Sequence, residues 1–218
     1  MRITVFGATG AVGSRVVQEA LSRHHDVTAV GRNLDRLTTL AQRLGEVGGL
    51  RVLRGDASDA GDVARLGWGR EVVISATRPV PGREDELAIA AKGLVSGLAG
   101  SGVRLLVVGG AASLTLPGDP GTTVVDGPGF PVELRPIALA CNEQLEVIRA
   151  STDLEWTYLS PPAFLEPGVR TGTYRLGRDE LLTSADGTSS ISMEDFAIAL
   201  LDEAEQPRHP RARFTVGY

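Results

Sequence analysis
The feature that most constrains this chain stands at its start, in MRITVFGATGAVGSRVVQEAL. Residues 2–6 form a short β-branched run. Gly7, Gly10 and Gly13 follow at once, ahead of Val12, Val16, Val17, Ala20 and Leu21 at helical spacing. Glycine loses more backbone entropy on ordering than any other residue, so glycines this close mark a turn that needs bare backbone. A strand, a G-x-x-G-x-x-G turn and a helix bring backbone N–H groups and the positive end of a helix together, which suits a diphosphate. Gly7 allows the tight turn, Gly10 the close approach of a ligand, and Gly13 the packing of helix on strand. Thr9, Ala11 and Val12 complete the cradle. The alternative is a tight strand–helix turn without a ligand.

The rest of the chain repeats the unit. Strand-like runs at 26–30, 50–53, 71–76 and 103–108 alternate with helical patterns at 34–44, 59–66 and 84–100. The later strands are apolar throughout, as in a parallel sheet covered on both faces. Right-handed crossovers then predict an α/β, doubly wound, Rossmann-type sheet. Residues 111–136 are rich in Gly and Pro and read as a long loop. A helix to about residue 150, a strand at 154–159, turn-rich segments at 161–187, a helix at 192–205 and a strand at 212–216 follow. We expect one domain over residues 1–218, with a small substrate-side lobe from about 161 to 190.

Composition narrows the class. A net charge of −5 gives no general attraction to nucleic acid or to an anionic membrane. No apolar run is long enough to span a bilayer. No basic leader with a cleavage site precedes the first strand, so a cytoplasmic protein is expected. Cys141 is the single cysteine and the histidines are His24, His25 and His209, so neither a disulfide nor a metal centre is expected.

The end of the second strand bears on the choice of dinucleotide. A carboxylate there binds the ribose 2′-hydroxyl of NAD, whereas an arginine accommodates the 2′-phosphate of NADP. Asp26 begins that strand and points away, while the strand ends in Gly31-Arg32-Asn33. Arg32, assisted by Arg36, therefore predicts NADP(H) over NAD(H). Asp56, next to Ala57 after the third strand, is placed to accept from the adenine amino group or to cap a helix in competition with Ser58 and Asp59. Ala76, Thr77 and Arg78 end the fourth strand, where small residues let a cofactor lie on backbone.

The stretches GATGAVG, GR after the second strand, GD after the third and SATR after the fourth resemble the atypical short-chain dehydrogenases/reductases. More narrowly, VVGGAASL, LEWTYLSPPAF, RTGTYRLGRDELL and SISMEDFA resemble the NAD(P)H-binding group that includes biliverdin reductase B (flavin reductase) and NADH-flavin reductases. The resemblance covers essentially the whole chain. It implies an NADPH-binding fold and reduction of flavins or quinones. Relatives of the NmrA type bind dinucleotide as regulators without turnover.

Most short-chain dehydrogenases use a Tyr-x-x-x-Lys pair to protonate a carbonyl oxygen. This chain has one lysine, Lys92, and none of Tyr158, Tyr174 and Tyr218 precedes it by four. A flat conjugated acceptor such as a flavin or quinone takes its proton from water and needs orientation more than a dedicated acid. Ser113, past the fifth strand, is the candidate catalytic residue that bonds an acceptor oxygen; it reads equally as a turn serine. Asn142, Glu143 and Gln144 stand where the dyad is missing, and Glu143 is the weaker candidate as proton donor. Pro161 and Pro162 stiffen the wall over the nicotinamide, with Phe164 beside them. Phe130 either covers the pocket or anchors its loop, and Trp156 reads as core. A second reading is a non-catalytic NADP(H)-binding redox sensor that acts on a protein partner through segment 111–136.

Overall fold
Alternating apolar strands and amphipathic helices leave each strand two faces to bury, and the chain solves this with helices on both sides. The computed structural model describes residues 1–45 and 47–218. The first half runs β1 (Arg2–Phe6), α1 (Ala11–Ser22), β2 (Asp26–Gly31), α2 (Leu34–Leu44), β3 (Leu50–Arg54), α3 (Ala60–Gly67), β4 (Val72–Ser75), α4 (Glu86–Leu98) and β5 (Arg104–Val108). The second half runs β6 (Thr115–Leu116), β7 (Asp119–Thr123), α5 (Arg135–Arg149), β8 (Trp156–Ser160), β9 (Phe164–Glu166), β10 (Arg175–Gly177), β11 (Ser190–Ser192), α6 (Met193–Glu205) and β12 (Ala212–Gly217).

The main sheet has eight strands in the order β10-β12-β8-β5-β4-β1-β2-β3, all parallel except the β10–β12 pair. The order reverses at β1 and β4, the crevice where doubly wound sheets hold their ligands. Ile3, Val5, Ala29, Ile74 and Phe214 face α1, α2 and α6. Phe6, Val30, Val73, Val107 and Tyr158 face α3, α4 and α5 on the other side. No described helix is long and apolar enough to cross a membrane.

Segment 111–136 holds more order than its composition implies. The β6–β7 hairpin and two 3₁₀ turns occupy much of it, and Val124 and Val125 donate to the carbonyls of Leu114 and Ala112. Phe130 packs beside Ala112, Val125 and Ala138, so it anchors its loop. Segment 161–190 contributes β10 to the main sheet, while β9 pairs in parallel with β11.

Asp195, fully buried in the first turn of α6, ties this region down. Its Oδ1 accepts from the N–H groups of Thr171 (2.9 Å) and Gly172 (2.8 Å), and its Oδ2 from the hydroxyls of Thr171 and Tyr218 (2.6 Å). Burial alone pushes this carboxyl up, but the bonds from Thr171, Tyr218 and Gly172 outweigh it and hold it below the usual carboxylate range. Asp195→Ala leaves buried donors without an acceptor and is expected to lower unfolding free energy by about 3 kcal/mol at neutral pH. A depressed native pKa means that the stabilisation is complete above the ordinary carboxylate value of about 3.9 and fades as pH falls below it. Urea unfolding of both proteins across pH checks this: the gap narrows in acid and does not change at higher pH.

Candidate functional site
Strand register sets Phe6 beside Val30 and Ser75, Ser75 beside Val107, and Val108 beside Leu159. The residues that follow these strands therefore form a row along one edge: the Gly7 turn, Gly31-Arg32, Ala76–Arg78, Gly109-Gly110 and Ser160–Pro162. Asp56 and Ala57 extend the row beyond β3, whose Arg54 pairs with Gly31.

Within the turn the three glycines have different reasons. Gly7 has φ +76°, and an added Cβ would stand 2.5 Å from the Ala76 carbonyl oxygen. A Cβ on Gly13 would overlap the Gly7 carbonyl. Both are fixed by backbone packed on backbone. At Gly10, with φ −78°, the nearest atom to an added Cβ is the Gly7 oxygen at 3.3 Å, a tight but adjustable contact. The fold demands less of Gly10 than of Gly7 and Gly13. Gly10 caps α1 without a side chain, and the first turn carries no acid. Ser14 makes the first helical bond, to the Gly10 oxygen at 3.0 Å, so the N–H groups of Ala11, Val12 and Gly13 precede the helical ladder. This free, positive helix end fits a diphosphate. Thr9 and Val12 are half-buried and Ala11 is exposed.

Arg32 is 59% exposed and its Nη1 lies 3.3 Å from Glu86 Oε2, in the first turn of α4; Arg83 also pairs with Glu86. No carboxylate follows β2 directly, since Asn33 caps α2 by accepting from the Arg36 N–H at 3.0 Å. Asp59 caps α3, and Asp56 Oδ1 accepts from the N–H and hydroxyl of Ser58. Ala57 is core, with its carbonyl pressed on Gly93 of α4. Ala76 is buried and donates to the Phe6 carbonyl at 2.9 Å, Thr77 Oγ1 meets Ser75 Oγ at 3.2 Å, and Arg78 is exposed.

The α5 side of the row is occupied by Tyr158, whose ring fills the space that a Cβ on Gly109 would need. Its hydroxyl accepts from the Gly110 N–H (3.3 Å) and lies within donating distance of the Cys141 carbonyl (3.0 Å) and Gln144 Oε1 (3.1 Å). Burial holds this phenol far above its ordinary pKa, so it stays neutral. Burial likewise pushes the Cys141 thiol up to about 11. Tyr174 donates to Asp202 and Tyr218 to Asp195. Lys92 is exposed on α4, Glu143 is exposed on α5, and Asn142 is half-buried.

Ser113 has a partner that local sequence gave no reason to expect. Arg213 Nη1, from β12, donates to Ser113 Oγ at 2.9 Å, and the same guanidinium grips Asp179 Oδ1 through Nε at 2.9 Å. The Arg213 side chain is 5% exposed. One Ser113 lone pair is thus taken, and its hydroxyl hydrogen is free to donate elsewhere. Pro161 and Pro162 are buried; the N–H groups of Ala163 and Phe164 bond to Ser189, so this wall offers carbonyls rather than donors. Phe164 is 58% exposed, and Trp156 is core.

The NAD(P)H-binding family profile matches residues 7–207. The Bacillus subtilis (strain 168) protein YwnB is 37% identical over 220 residues, covering 99% of this chain and 98% of its own. A Bacteroides thetaiotaomicron structure named as a candidate epimerase superposes with TM-score 0.89 at 37% identity, covering 100% of this chain and 96% of its own. A Streptococcus pneumoniae TIGR4 structure, SP1627, named as a candidate NADH-flavin reductase, superposes with TM-score 0.84 at 31% identity, covering 100% and 99%. The turn at α1, the strand order and these likenesses agree: the chain belongs to the NAD(P)H-binding family.

Proposed function
We propose that the protein is an NADPH-dependent reductase that delivers hydride to a flat, conjugated acceptor such as a flavin or quinone, without a Tyr–Lys dyad. The observation that carries this reading is the state of the three tyrosines. Each hydroxyl is tied into a hydrogen bond of the fold, and the single lysine is exposed on α4. No phenol is left to protonate a carbonyl oxygen. An acceptor that spreads the incoming charge over a ring system escapes that need and takes its proton from water. The name of the Streptococcus pneumoniae relative favours the same acceptor class.

The chain's own groups divide the work. Gly10 admits the diphosphate, and the first N–H groups of α1 offset its charge. Arg32 exchanges Glu86 for the 2′-phosphate, a better match for its planar fork. Pro161 and Pro162 present a stiff surface to the nicotinamide, which supplies the hydride when bound. Ser113 donates to an acceptor oxygen, and the buried Arg213 behind it strengthens that donation as negative charge develops. The sensor reading is weaker, because segment 111–136 is hydrogen-bonded and packed into the fold.

Calorimetric titration tests the cofactor. NADPH is expected to bind roughly tenfold to a hundredfold tighter than NADH, and Arg32→Ala to erase most of that difference. Gly10→Ala is expected to weaken both dinucleotides while the thermal midpoint changes little. Equal affinities in the wild type would reject the preference.

A panel of FMN, riboflavin, quinones and simple ketones, read by loss of the reduced-nicotinamide absorbance, tests the acceptor. Turnover is expected with the conjugated compounds, and Ser113→Ala is expected to lower kcat roughly tenfold with KM less affected. Turnover of ketones alone would overturn the proposal.

A further inference from the structure
At the opposite end of the same strands lies a second concavity. The starts of β8 and β12 and the end of α5 border an open cavity of about 440 Å³. Its lining includes Arg149, Arg178, Arg208, Arg211 and Arg213 against a single carboxylate, Asp179. In a chain of net charge −5, five guanidiniums gathered on one cavity repel one another unless an anion offsets them.

The five fall into two sets. Arg211 and Arg213 are fixed. Arg211 donates to the carbonyls of Thr152 (2.6 Å) and Ser151 (2.9 Å), just past α5, and Arg213 is held by Asp179 and Ser113. The other three are in reserve. Arg178 makes no side-chain hydrogen bond or ion pair among the described residues. Arg208 reaches only Gln206 Oε1 at 3.1 Å, and Arg149 meets the exposed Glu146 at 3.0 Å. Trp156, 4% exposed, forms part of the wall, and its Nε1 has no acceptor among the described residues.

We propose that this cavity binds a small, multiply charged oxyanion, either a phosphate compound or a polycarboxylate. A preorganised back wall, exposed and lightly tethered arginines in front and a planar donor geometry suit several oxyanion groups at once. The volume is that of a small-molecule site, larger than one ion needs. None of the nucleotide-turn residues lines the cavity; its one link to the reductase reading is Arg213, which lines it and also holds Ser113.

Calorimetry at low ionic strength tests it, with inorganic tripolyphosphate in one arm and citrate in the other. Each arm is run with and without saturating NADP⁺, which excludes the anion from the nucleotide turn. We expect saturable one-to-one binding that survives NADP⁺. The stronger arm identifies phosphate or carboxylate as the natural chemistry. The double variant R178Q/R208Q is expected to weaken binding roughly tenfold or more. Both residues are exposed, so the fold should hold; R178Q alone gives a smaller loss in the same direction. Lys92→Gln removes one charge elsewhere and is expected to change nothing. Silence in both arms, loss of binding on adding NADP⁺, or unchanged affinity in the double variant overturns the proposal.

Discussion

Everything in this molecule is arranged around one close approach of backbone to backbone. The end of β1, the start of α1 and the end of β4 meet at Gly7, Gly13 and Ala76 with no room for a Cβ on either glycine. This contact brings the α1 N-terminus down onto the sheet at the point where strand order reverses. Once it is made, β2 and β4 flank β1, the two cores close on either face, and the strand ends line up along one edge. The third glycine sits in the same turn but takes little part in that contact. A structural necessity and an uncapped helix end thus share seven residues.

The first half of the chain was legible because its signals are local. Strand–helix alternation predicts β1 to β5 and α1 to α4 within a few residues, and the glycine spacing predicts the turn. Ser192 as the cap of α6, accepting from the Asp195 N–H at 3.0 Å, follows from the same kind of signal. What escaped was non-local or too short to carry a period. β6, β9 and β11 have two or three residues each, and the antiparallel entry of β10 depends on where its neighbour lies. Arg213 reaches Ser113 across 100 positions of sequence, and nothing in RARFTV announces it. Asp56 could be read either as a base contact or as a cap; it supports the Ser58 turn, while Asp59 caps α3.

The buried carboxylates are spent on holding α6 and its surroundings. Glu203, 3% exposed, accepts from the N–H groups of Arg208 and His209 and lies 2.8 Å from His209 Nδ1. Glu19 on α1 is flanked by Arg23 and Arg170; burial raises its pKa, but the two guanidiniums outweigh this and keep it low. These ion pairs are shielded enough to matter, yet each mainly prevents a buried charge from standing alone. The edge that carries the Gly7 turn, by contrast, presents an uncapped helix end and the exposed Arg32.

The strand order also determines how the sheet meets other molecules. One margin is β3, where Arg51 and Arg54 stand exposed within LRVLR. The other is β10, only three residues long, beyond which Thr115 bonds to the 179–181 backbone. Flat, uncharged edges recruit foreign strands, whereas charge and brevity discourage them. The apolar inner strands are thereby screened from lateral growth into aggregates, and any self-association is steered toward helices and loops.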